Sequence, residues 1–105
     1  MAIFVSHSVN DVESPVFGLL RGDLERMRYS VWFDQKLIGG QSWWDEILDQ
    51  IRRCDLLVFA FSRHAIKSEA CLAELGYALA LHRPVLPVKL AELSDWEIPQ
   101  SIARV

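Results

Sequence analysis

Leu56-Leu57-Val58-Phe59-Ala60-Phe61 is an unbroken apolar run bounded by polar Asp55 and Ser62. A strand with one face in water alternates apolar and polar residues. A short run without alternation fits a parallel strand covered on both faces. This predicts a central strand over 56–61 with helices on either side of the sheet. Upstream, Ala2, Ile3, Phe4 and Val5 form a second such run, followed by a polar loop containing Ser6, His7, Ser8, Asn10 and Asp11. Ser14 and Pro15 then read as an N-cap and a first helical residue, where the missing proline N–H costs nothing. Val16, Phe17, Leu20, Leu24 and Met27 recur at helical spacing and predict the face packed on the sheet, with Arg21, Asp23, Glu25, Arg26 and Arg28 opposite.

Between that helix and the central run, Ser30–Phe33 reads as a strand. Residues 34–41 read as a loop in which Gly39 and Gly40 relax the backbone limits. Ser42 with Asp45 and Glu46 resembles a capping box, and Trp44, Ile47, Leu48 and Ile51 follow at i, i+3, i+4 and i+7. Downstream, Ser68 is placed to cap a helix carrying Cys71, Leu72, Leu75, Ala78 and Leu79 on one face, and residues 85–88 supply a fourth strand. Pro87 cannot donate to a sheet ladder, so that strand is expected at an edge or bonded on one side there. Trp96, Ile98, Pro99 and Ile102 read as a loop and the first turn of another element, so the fold is expected to be C-terminally short.

The repeated β-α-β order predicts an α/β, flavodoxin-like, three-layer domain: a central parallel sheet with helices on both faces. Ligands of such sheets bind beyond the carboxyl ends of the strands, where the strand order reverses. With 105 residues, 51% of them apolar, the chain suits one domain spanning 1–105. Its 11 basic and 14 acidic residues give a net charge of −3, no electrostatic footprint for nucleic acid or anionic lipid. No apolar run approaches the roughly 20 residues of a membrane span, and the N-terminus lacks a secretory pattern, so a cytoplasmic setting is expected. Cys54 and Cys71 are too few for a disulfide framework and are not spaced for metal, so both are expected as reduced thiols.

Several occupants of the crevice fail on required residues. The first loop has no glycine, which removes a GxGxxG dinucleotide fingerprint and a phosphate-binding P-loop. A phosphoacceptor receiver needs an aspartate where the central strand ends, and Ser62 stands there. No GxSxG nucleophile turn occurs, and no metal spacing links His7, His64 and His82. Glu74 remains: on a helical wheel it borders the Cys71, Leu72, Leu75 and Leu79 stripe, within the first two turns of its helix and near the crevice. Spacing alone leaves two readings open, a half-buried carboxylate acting on a ligand and a solvated glutamate stabilised by the helix dipole.

The order of segments resembles a Toll/interleukin-1 receptor (TIR) domain, a bacterial member in particular. It is carried by Ile3-Phe4-Val5-Ser6-His7-Ser8 with Asp11, Val31-Trp32-Phe33-Asp34, Gly39 or Gly40 with Trp43, and Phe61-Ser62. Ser68-x-x-Cys71-x-x-Glu74-Leu75 and Val85-Leu86-Pro87-Val88 complete it. Two departures stand out. Ala70 occupies a position often held by tryptophan in the family, and the family's last strand and helix are expected to be missing.

The resemblance implies an NAD+ glycohydrolase that releases nicotinamide and ADP-ribose or its cyclic form, activated by self-assembly in immune or antiphage signalling. It implies, as the alternative, a non-catalytic scaffold acting through TIR–TIR contact. Glu74 matches the family's catalytic glutamate. Ser6, His7, Ser8, Asp11, Trp43, Ser68 and Cys71 fall where substrate-side residues are expected, with Trp32 as another stacking face. Plain readings stand beside these: core packing for Trp32 and Trp44, helix caps for Ser42 and Ser68. Asp34, Leu37, Ile38, Gly39 and Gly40 belong to the loop expected to mediate assembly. NAD+ enters as substrate, with no cofactor or metal. The expected partners are other TIR domains, and a sensing domain in a longer protein.

Overall fold

A computed structural model describes residues 1–33 and 42–91, with the backbone alone for Val9, Ser42 and Trp43. Along the chain run β1 (Ala2–Ser6), a 3-10 turn (Val9–Asp11), α1 (Pro15–Arg26), β2 (Ser30–Phe33), α2 (Ser42–Arg53) and β3 (Leu56–Phe61). A short α3 (Arg63–Ile66), α4 (Glu69–Ala80) and β4 (Val85–Lys89) follow. The strands form one parallel sheet in the order β2-β1-β3-β4. The chain steps from β1 to β2 on one side and returns to place β3 on the other. The order therefore reverses between β1 and β3, the two central strands of the described sheet.

Strand alternation explains the layers. Phe4, Leu57, Phe59 and Phe61 point to one face, where Ile47 and Ile51 of α2 and Cys71, Leu75 and Ala78 of α4 cover them. Ile3, Val5, Val58 and Ala60 point to the other, against Phe17 and Leu24 of α1 and Leu90. Both faces of the central strands are thus covered, which is why their sequences are apolar without alternation. Trp32 extends the first face by stacking on Phe4 at 5.1 Å between centroids, and Trp44 packs partly buried on the same cluster. Pro87 lies in β4, opposite Phe59, with β4 at the edge of the described sheet.

The structure corrects several local expectations. Val16 and Met27 are 43% and 56% exposed, off the buried face of α1. The helix lies along the narrower line Phe17–Leu20–Leu24, and Met27 is already its C-cap. Ser14 precedes Pro15 with extended backbone but makes no side-chain cap bond. β1 extends through Ser6, one residue beyond the expected strand, and α3 occupies a segment for which no element was expected. Ser68 does cap α4, accepting from the Cys71 N–H at 3.2 Å.

Candidate functional site

The site begins with the last residue of β1. Ser6 follows Phe4 on the same side of the strand, so its side chain leaves the sheet toward α4. On α4 the buried positions are Cys71, Glu74, Leu75 and Ala78, a helical i, i+3, i+4, i+7 set. Glu74 therefore lies inside the stripe, and both it and Ser6 are 0% exposed. The Ser6 hydroxyl donates to Glu74 Oε1 at 2.6 Å, within the range typical of a hydroxyl bonded to a carboxylate oxygen. The reading of Glu74 as a solvated glutamate is excluded by this burial.

The remaining polar residues after β1 take other directions. His7 turns to the opposite face, its ring centroid 4.7 Å from that of Phe17 and 6.4 Å from that of Phe33. Its Nδ1 lies 3.1 Å from the Ser8 carbonyl, which can only accept, so the bond places a proton on that nitrogen. Arg21 covers Phe33 with its guanidinium 4.6 Å from the ring centre. Ser8 shapes the 3-10 turn: its hydroxyl accepts from the Asn10 N–H and its carbonyl from the Asp11 N–H.

Asp11, buried at the end of that turn, accepts a 2.5 Å hydrogen bond from the Ser62 hydroxyl through Oδ2. Ser62 Oγ also accepts from the Ala65 N–H at 3.1 Å, capping α3. This one side chain thereby joins the segments that follow β1 and β3. Beside the pair an open cleft of about 420 Å³ is lined by Asp11, Ser14, Ser62, Arg63, His64, Lys67, Leu90 and Ala91.

Of the expected substrate-side residues, then, Ser6 is brought to Glu74. His7 is directed to the α1 face, and Asp11 lies in the cleft. Cys71 is buried in the α2–α4 core, and Ser68 serves as a cap. The side chain of Trp43 and residues Asp34, Leu37, Ile38, Gly39 and Gly40 lie outside the described residues. Ser62 is a site residue that sequence patterns alone do not mark. The signal available was a serine directly after an apolar strand and three residues before a buried alanine, a helix-start pattern. Among the described residues no cluster of three or more histidine, cysteine, aspartate or glutamate side chains is placed to hold a metal. No described helix is long and apolar enough to cross a membrane.

A family model for the TIR domain matches residues 3–105. The TIR domains of the activated Roq1 resistosome, a structure that recognises the pathogen effector XopQ, align at 28% identity with a TM-score of 0.70. That alignment covers 84% of this chain and 56% of the other, so the chain spans little more than half of that relative. The TIR domain of the Toll-related receptor TRR-2 from Hydra magnipapillata aligns at 18% identity and a TM-score of 0.76, covering 96% and 77%. The Clostridium botulinum CMP N-glycosidase BcmB shares the fold at 19% identity and a TM-score of 0.65, covering 85% and 71%. No curated protein matches the sequence.

Proposed function

This chain belongs to the TIR domain family, and from that membership we propose that it cleaves the nicotinamide–ribose bond of NAD+ with Glu74 as its catalytic group. The observation that carries the reading is the buried Ser6–Glu74 pair, which places a carboxylate at the carboxyl end of β1, beside the reversal of strand order. A buried acidic side chain is costly to retain for packing alone.

One carboxylate suffices for the chemistry. The nicotinamide of NAD+ is a cationic pyridinium; when its bond to the ribose breaks, the electron pair stays with nitrogen and nicotinamide departs neutral. No acid has to protonate it, unlike the two-carboxylate arrangement of ordinary glycoside hydrolysis. Glu74 accepts hydrogen bonds from the ribose hydroxyls and stabilises the positive charge that develops at the sugar. Water then adds to the anomeric carbon and releases a proton, leaving ADP-ribose; attack by the adenine instead gives the cyclic form. Electrostatic stabilisation of this sort supplies about a hundred- to thousandfold in rate. Asp11 and the cleft beside it receive the more distant part of the dinucleotide. NAD+ is the substrate, and no resident cofactor takes part.

Glu74 has no surface in contact with solvent, so substrate reaches it only after the site opens. Assembly of copies through residues 34–41 provides the opening, in a cytoplasmic defence setting. The same burial favours a second reading, a non-catalytic module that recruits other TIR domains and keeps Glu74 as a structural side chain. Nicotinamide release from NAD+ measured across a range of chain concentrations separates the two. The enzymatic reading expects release to rise more steeply than concentration, whereas an assembled sample that releases none supports the module.

A further inference from the structure

We propose that Ser6 is a positioning residue for Glu74 and not a substrate ligand; the inference rests on the reading of Glu74 as the catalytic carboxylate. A serine hydroxyl has one proton, and that of Ser6 is given to Glu74 Oε1 at 2.6 Å. It is therefore not available to bind a ribose or phosphate oxygen while this bond stands. Ser6 is also 0% exposed and is fixed by a strand whose residues pair with both neighbours, Val5 with Phe33 of β2 and Ser6 with Phe59 of β3.

The carboxylate needs such a hold. It stands on a flexible side chain, and α4 alone fixes only its Cα. A carboxylate offers about four lone-pair directions, and the Ser6 hydroxyl takes one of them on Oε1. That bond orients Glu74 from the rigid centre of the sheet. Misplacing a reacting group by about 1 Å can cost about a hundredfold in rate.

The test compares the whole chain with Ser6→Ala and Ser6→Thr under conditions in which the unaltered chain releases nicotinamide. Positioning predicts that Ser6→Ala lowers kcat about ten- to hundredfold with KM within about twofold. Ser6→Thr, which keeps the hydroxyl on a residue suited to strands, restores most of it. A rise in KM at unchanged kcat overturns the proposal in favour of substrate binding. Unchanged kinetics in Ser6→Ala overturn it outright, and equal loss in both variants assigns Ser6 to packing. A second measurement does not depend on activity: the carboxyl carbon-13 resonance of Glu74, assigned through Glu74→Gln. It is expected to move in Ser6→Ala and to stay near its place in Ser6→Thr. A resonance indifferent to Ser6→Ala rejects the contact itself. An unaltered chain without activity, but with the resonance shift present, rejects the enzymatic reading while leaving the hydroxyl–carboxylate contact established.

Discussion

Ser62 makes two bonds from one oxygen, donating to Asp11 and accepting from the Ala65 N–H. Replacing it by alanine removes the cap of α3 and leaves a buried carboxylate without that donor, so Ser62→Ala is expected to cost about 1–3 kcal/mol in denaturant titration. Ser62→Thr, which retains the oxygen, is expected to cost less. Cys54 gives a prediction in pH. Burial pushes its thiol above the usual value of 9.0, with Asp55 adding to the rise and Arg83 opposing it. In the folded chain the proton stays on at a pH where the unfolded chain has lost it. This contribution is complete below pH 9.0 and is lost as pH rises beyond it. The stability gap between the unaltered chain and Cys54→Ala is expected to hold steady from pH 7 and to narrow above about pH 9. A gap that widens with alkali contradicts the burial argument. At this scale Glu74 was partly legible, because it stands three residues after Cys71 and four before Ala78. The partner that holds it was not. A strand ending at Val5 would leave Ser6 and His7 in one loop, whereas β1 runs through Ser6 and its alternation sends the two side chains to opposite faces.

Elements were legible where periodicity and caps agreed. The stripe of α2, the Ser68 cap and the edge position of Pro87 all follow from local chemistry. The helical period marks a broader face of α1 than the one that packs: Val16 and Met27 fit the period, but only the line through Phe17, Leu20 and Leu24 meets the sheet. The end of α4 provides a test of backbone energetics. There the Arg83 N–H bonds the Ala78 carbonyl and the His82 N–H the Leu79 carbonyl, the pattern of a Schellman turn, and His82 has φ of 57°. Glycine is the usual residue at that left-handed position, and a side chain costs about 1–2 kcal/mol there. His82 is exposed, so His82→Gly is expected to stabilise the chain by up to about 1 kcal/mol after the added entropy of the unfolded state is counted. A loss of stability in thermal unfolding contradicts this account of the turn.

For the molecule as a whole, the alternation of strands and helices and the right hand of β-α-β crossovers determine most of the architecture. The parallel order β2-β1-β3-β4 and its two covered faces are the consequence. The site is less legible because it depends on contacts distant in sequence: Ser6 meets Glu74 across 68 positions and Ser62 meets Asp11 across 51. No periodicity encodes such a pair. It arises once the sheet brings the end of β1 between the first turns of α4 and the segment after β3. The same geometry joins architecture to chemistry, for it puts one carboxylate at the strand ends and fixes it from the sheet. Nicotinamide release from NAD+ by the concentrated chain, set beside Glu74→Gln with its fold verified by circular dichroism and thermal unfolding, tests this most directly. The account predicts release by the unaltered chain and a fall of about a hundredfold or more in a folded Glu74→Gln. Equal release by the two would contradict it.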